Sequence, residues 1–284
     1  MASLVGGFCL PHDPLILGAR NAAEPRQAER VFSMFEHIRQ RIKALEADTV
    51  IVVGDDHFAM FSTDCQPSIL IGVGDLEGPI EAWLGIERKP VPNNEALATH
   101  IMNWGFEHGF DWAVSKTLSL DHSTMVPLHL AVPDDVRAIP IYLAVGTTPL
   151  VQGKRCKALG GMIGDAIRAY PEDDRVVLLG TGGISHWVGM PEMGRVNVDF
   201  DREILSMVTQ RDVDGLAALS DEQIIEQGGN GALEIRNWIV AMAAMDASYE
   251  ARVLAYEPVP EWITGLGFVE LATSKSIGSG GAAR

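Results

Sequence analysis

The stretch Thr49-Val50-Ile51-Val52-Val53-Gly54-Asp55-Asp56-His57 decides how this chain reads. A short β-branched apolar run that ends on Gly and Asp has the pattern of a buried strand meeting its loop. Just before it, Glu24 to Ala47 carries Val31, Met34, Phe35, Ile38, Ile42 and Leu45 at the spacing of one helix face. Ahead of that helix, Val5 to Leu10 is a second apolar run, and it too leads to a histidine, through Pro11-His12-Asp13. Strand, helix and strand in this order predict parallel pairing with a right-handed crossover, which brings His12 and His57 to one edge of the sheet. A third run, Val176 to Leu179, leads through Gly180-Thr181-Gly182-Gly183-Ile184-Ser185 to His186. Ligands of open α/β sheets bind beyond the carboxyl ends of the strands, so three imidazoles are expected on one rim.

The pattern continues outward. Ile69 to Val73 and Ala138 to Val145 read as strands, and Asn94 to Glu107 and Lys154 to Tyr170 as helices. From Asp199 onward the chain reads as mostly helical, with helices over Asp201 to Thr209 and Gly231 to Ala244. Gly228-Gly229-Asn230 precedes the second of these, and Asn230 is its candidate cap. The expected fold is α/β, a single domain over residues 1–272 with a central mixed or parallel sheet flanked by helices. Residues 273–284, with Gly278, Gly280 and Gly281 among small polar side chains, read as a disordered tail.

Composition narrows the partners. A net charge of −16 over 284 residues argues against nucleic acid and anionic membranes, which call for clustered Lys and Arg. A small-molecule ligand fits better. Cys9, Cys65 and Cys156 are few, odd in number and widely spaced, which suits a reducing compartment and offers neither a disulfide framework nor a zinc ribbon. No run approaches the ~18 apolar residues of a membrane span, and no targeting segment is evident, so a cytoplasmic protein is expected.

Three imidazoles on one rim point to metal or acid–base chemistry. His37, His100 and His108 fall on helices and read as partly exposed helix residues, while His129 sits among apolar residues and reads as structural. Two neutral imidazoles and a carboxylate on one face of a metal leave the other face open, an arrangement suited to Fe(II) and oxygen chemistry. His12, His57 and Glu234 can supply it, although Glu234 equally suits the first turn of its helix, where the dipole favours a carboxylate. Neighbouring residues at a strand end point in opposite directions, so at most one of Asp55 and Asp56 faces such a metal, and orienting His57 is the expected task. The glycines at 180, 182 and 183 lack the spacing of a phosphate loop and read as allowing close backbone approach.

Five segments taken together resemble the class III extradiol ring-cleavage dioxygenases, most of all the catalytic β subunits of protocatechuate 4,5-dioxygenases. They are Pro11-His12-Asp13-Pro14, Asp55-Asp56-His57, Leu120-Asp121-His122-Ser123-Thr124-Met125-Val126-Pro127-Leu128, Gly180 to His186, and Gly229-Asn230-Gly231-Ala232-Leu233-Glu234. The likeness runs roughly from Leu4 to Leu271. It implies His12, His57 and Glu234 as ligands of Fe(II), His186 as the acid–base residue and His122 as a second imidazole lining the substrate pocket. It further implies O2-dependent cleavage of a catecholic ring, with lignin-derived acids such as protocatechuate, gallate or 3-O-methylgallate as substrates. In the stretch Pro260 to Thr264, Trp262 offers an aromatic face and Thr264 a hydroxyl for a ring substituent. A homodimer or a small α subunit is the partner implied, as a lid on the site. The competing readings are a zinc or two-metal hydrolase on the same ligands, and a non-catalytic binding module of the same fold.

Overall fold

A computed structural model describes residues 1–273 of the chain. The tail expected from 273 lies outside the described residues except for Thr273, which is buried and donates its hydroxyl to the Val5 carbonyl. The strands are β1 (Ser3–Leu10), β2 (Thr49–Asp55), β3 (Ile69–Gly78), β4 (Lys89–Val91), β5 (Ala113–Ser119), β6 (Arg137–Leu143), β7 (Arg175–Thr181), β8 (Glu250–Val259) and β9 (Thr264–Ala272). They form one sheet in the order β4-β3-β6-β2-β7-β1-β9-β8, with β5 alongside β3. The centre, β6-β2-β7-β1, is parallel. Antiparallel β3 and β9 flank it, which makes the sheet mixed.

The helices are α1 (Leu15–Gly18), α2 (Pro25–Ala44), α3 (Glu95–Glu107), α4 (His122–Ala131), α5 (Gly153–Ala169), α6 (Val198–Thr209), α7 (Val213–Ala218), α8 (Asp221–Gly228) and α9 (Ile235–Ala244). Helix α2 starts with Pro25, whose missing N–H costs nothing there, and the Glu24 carboxylate accepts from the Gln27 N–H at 2.9 Å. Its apolar stripe, Val31, Phe35, Ile38 and Ile42, is buried as the periodicity predicts.

Strand β2 is buried along its whole length, and its alternation divides the interior in two. Val50 and Val52 join the α2 stripe, Phe8, Val177 and Leu179 in one core. Ile51 and Val53 join Ile139, Ile141, Leu159 and Ile163 of α5 and Trp238 of α9 in the other. Helices on both faces therefore leave the strand ends as the accessible edges, and the carboxyl edge is where the histidine loops emerge.

The C-terminal part departs from the helical expectation, because β8 and β9 form an antiparallel hairpin that adds to β1. Every residue of β9 is buried, so it shows no polar alternation that would mark it as a strand. Residues 231–234 form a 3₁₀ turn ahead of α9, and Asn230 does not cap it. The Asn230 side chain instead brackets Val188, accepting from its N–H at 2.9 Å and donating to its carbonyl at 3.1 Å. No described helix is long and apolar enough to cross a membrane. Cys9 and Cys156 are buried free thiols and Cys65 is an exposed one.

Candidate active site

Strands β1, β2 and β7 end at Leu10, Asp55 and Thr181, and the loops beyond them carry His12, His57 and His186 to one place. A fourth imidazole, His122, opens α4, where the Asp121 carboxylate caps the helix by accepting from Ser123 N–H at 3.1 Å and Ser123 Oγ at 2.7 Å. The His57 and His122 ring centroids are 4.1 Å apart, and those of His12 and His57 are 5.1 Å apart.

Each ring is tied back through Nδ1 to an oxygen. The Thr181 hydroxyl proton goes to the Val53 or Ser123 carbonyl, at 3.1 and 3.0 Å, so its oxygen accepts from His12 Nδ1–H at 2.9 Å. His57 Nδ1 donates to Asp121 Oδ2 at 3.2 Å, His122 Nδ1 to Glu81 Oε1 at 2.7 Å, and His186 Nδ1 to the Ile184 carbonyl at 3.3 Å. Carboxylates and carbonyls only accept, so the proton sits on Nδ1 in these three pairs too. Anchoring at one nitrogen fixes the direction of the other, the device that orients metal-binding histidines.

Glu234 closes the site from the 3₁₀ turn. Its Oε2 accepts from the Gly183 N–H at 2.7 Å and lies 3.3 Å from His12 Nε2, while Oε1 lies 3.4 Å from His57 Nε2 and 3.3 Å from His186 Nε2. Gly182, at φ +142°, lets the chain pass this carboxylate, since a Cβ there would come within 2.6 Å of the Glu234 Cβ. Gly231 is equally constrained, because a Cβ would stand 2.1 Å from the His186 ring. Burial works against the Glu234 charge, yet the His12 and His186 imidazoles hold its carboxyl well below the usual range. His186 is raised, since Glu234 and Asp13 outweigh a burial that would lower it.

Asp55 stands beside His57, its Oδ2 3.4 Å from Nε2 and its Oδ1 accepting from Asn237 Nδ2 at 2.8 Å. Burial pushes its carboxyl up to about 6. Asp56 turns away and caps the loop through Met60 N–H at 2.9 Å, as alternation along a strand end requires. The partner that orients His57 through Nδ1 is Asp121, not either of its neighbours.

The donor set fits a divalent metal. One ligand atom from each of His12, Asp55, His57 and Glu234 lies within 4.8 Å of the others, and none of these acids pairs with Lys or Arg among the described residues. His12 Nε2 is buried without a hydrogen-bond partner among the described residues and lies 3.3 Å from a carboxylate oxygen; as a neutral acceptor it would repel that oxygen, a contact relieved by a metal ion between them or by a proton on Nε2.

The sequence-predicted positions divide cleanly. His12, His57, His122, His186 and Glu234 come together. Trp262 does not join them: it is fully buried, its indole N–H donates to the Ala19 carbonyl at 3.0 Å, and its ring meets Phe32 of α2 edge-on. It is a core residue. Thr264 is also buried, and its hydroxyl donates to Asp13, so it backs the site rather than offering that proton to a substituent. His37 and His129 are exposed away from the cluster, His108 caps α3 and His100 bonds to the Ala166 carbonyl. Sequence reading missed Glu81, Thr181 as an anchor, and Asn237. Asn237 alone had a signal, lying one helical turn beyond Glu234 on the same face.

Comparisons with known proteins show the family and the fold. The family described as the catalytic LigB subunit of aromatic ring-opening dioxygenase matches residues 6–267. A 2,3-dihydroxyphenylpropionate/2,3-dihydroxicinnamic acid 1,2-dioxygenase of Photorhabdus laumondii is 27% identical, covering 96% of this chain and 98% of its own length. The protein of the same description from Escherichia coli K12 is 26% identical, covering 93% and 98%. Among solved structures, an uncharacterized protein of Escherichia coli K12 matches the fold with a TM-score of 0.55 at 11% identity, over 94% of this chain and all of that one.

Proposed function

The chain belongs to the family of the catalytic LigB subunit of aromatic ring-opening dioxygenase, and from that premise we propose that it cleaves a catecholic ring with O2 next to its two hydroxylated carbons. Both oxygen atoms enter the product, a semialdehyde or equivalent ring-opened acid. In this reading His12, His57 and Glu234 hold a non-haem Fe(II). The observation that carries it is the meeting of two Nε2 atoms and the Glu234 carboxylate in a buried site with no Lys or Arg paired to it among the described residues. When bound, Fe(II) supplies a centre on which a catechol and O2 come together and between which it passes electrons.

The chain's own groups do the rest. A catechol that chelates through both oxygens must shed protons, and His186 is the residue to accept one at Nε2 and return it to the opening ring. Its tether to Ile184 keeps that nitrogen aimed at the site. His122 lines the pocket beside His57 and accepts from a substrate hydroxyl, holding it in place. Phe58 directly follows His57, and Val188 and Met190 follow His186; all three expose apolar surface suited to an aromatic ring. A second copy of the chain or a small lid subunit would cover that surface, and a reducing cytoplasm suits both Fe(II) and three free thiols.

The names of the relatives support a catechol carrying a side chain as the first substrate to test. Protocatechuate, gallate and 3-O-methylgallate complete the panel. The experiment is oxygen uptake by protein loaded anaerobically with Fe(II), Mn(II) or Zn(II) in turn, with product mass measured under isotopically labelled O2. Fe(II)-dependent uptake with two labelled atoms in the product is the expected result. Zinc-supported hydrolysis without uptake would overturn the reading.

A further inference from the structure

We propose that Glu81 is a positioning residue that acts through His122, fixing its ring so that Nε2 faces the site as a proton acceptor. Glu81 lies on no strand or helix that carries the other site residues. It follows Pro79-Ile80 at the end of β3, and the Ile80 N–H bonds to the Leu120 carbonyl at 2.9 Å, which brings it alongside the loop leading into α4. Its Oε1 takes both donors that His122 offers on that side, Nδ1–H at 2.7 Å and the backbone N–H at 3.3 Å.

What Glu81 lacks identifies its task. Its side chain is only 13% exposed, pairs with no Lys or Arg among the described residues, and does not cap the turn that follows. Its Oε2 is buried with no hydrogen-bond partner among the described residues. A carboxylate withdrawn from water with a single neighbouring residue as its donor is costly to keep, and a hydrophobic side chain would fill the same space without that cost. The arrangement parallels the Asp121 bond to His57, but it serves an imidazole that the proposed chemistry uses against substrate. Because a carboxylate only accepts, Glu81 holds the proton on Nδ1 and leaves Nε2 as a lone pair. A catechol hydroxyl can donate to that lone pair, whereas the opposite tautomer would present a second donor. Glutamine can still accept from Nδ1–H through its carbonyl, and alanine cannot.

The catalytic part of this inference rests on the proposed ring cleavage, but the tautomer does not, so two readouts are needed. In the first, nitrogen NMR of histidine-labelled, metal-free protein at about pH 8, above the ordinary imidazole value, should show His122 as the Nδ1–H tautomer in the unmutated chain and in Glu81→Gln. Glu81→Ala should shift it toward mixed tautomers. In the second, steady-state kinetics of the Fe(II)-loaded proteins, Glu81→Ala should lower kcat by about 10- to 100-fold with metal content and KM unchanged, and Glu81→Gln should recover most of the loss. In a His122→Ala background, Glu81→Ala should cost nothing further. An unchanged His122 spectrum in Glu81→Ala, or the same kinetic loss with and without His122, would overturn the proposal. If the unmutated chain cleaves no catechol, the ring-cleavage reading fails and the spectrum alone decides the role of Glu81.

Discussion

The two ends of the central parallel strands carry opposite solutions to the same problem, a cluster of acids at a sheet edge. At the amino end, Asp48 and Asp174 meet Arg137 at 3.3 and 2.8 Å, Asn94 donates to Thr49 and Asp174 at 2.8 and 3.0 Å, and Asp48 also accepts from the Arg175 N–H at 2.9 Å. Every acid there has a cationic or amide donor, and the cluster needs nothing from outside. At the carboxyl end, Asp55, Glu81, Asp121 and Glu234 have imidazoles, hydroxyls and amides as neighbours, but no Lys or Arg among the described residues. The balanced cluster ties strands together. In the proposed reading the unbalanced one is organised around a divalent metal, and that difference separates a structural edge from a reactive one.

The comparison breaks most decisively at a ligand. His57→Ala should strip the protein of metal and of ring cleavage together, as measured by plasma mass spectrometry and oxygen uptake. His186→Ala should keep the metal and lose about 10²- to 10⁴-fold in kcat; equal metal loss in both variants would erase the division between ligand and acid–base residue. Saturating divalent metal should stabilise the folded chain by about 2.7 kcal/mol at a hundredfold excess over Kd, read by urea denaturation under anaerobic conditions. Arg137→Ala should show the same increment and His57→Ala none. The smallest effect belongs to the balanced edge: Arg137 and Asp48 are 41% and 39% exposed, so Arg137→Ala should cost about 1 kcal/mol or less, without change in metal content or kcat.

The parallel centre of the fold was legible because its strands are short apolar runs set off by glycine, aspartate and a strongly amphipathic α2. The same rule hid β9, whose nine residues are all buried and whose apolar run has no alternation to distinguish it from a helix. At the site, residues fixed by strand ends could be read: His12, His57 and His186 each follow an apolar run. Glu234 was visible as a candidate only beside a plausible capping role, and the structure shows it bonded to Gly183 instead of serving the helix end. Trp262 was misread because an aromatic residue near a site motif looks the same in sequence whether it faces substrate or core; only the packing against Phe32 and Ala19 tells them apart. The Nδ1 anchors were invisible for a different reason. Thr181, Asp121 and Glu81 lie 169, 64 and 41 residues from the rings they hold, and nothing local marks such a pair.

The most direct test of the contrast between the two edges is an anomalous-scattering map, recorded at the iron absorption edge from crystals grown anaerobically with Fe(II). A single peak bonded to His12 Nε2, His57 Nε2 and the Glu234 carboxylate, with nothing at Asp48 and Asp174, is the result predicted. A peak held instead by Glu81, Asp121 and His122, or no peak at the carboxyl edge at all, would contradict it.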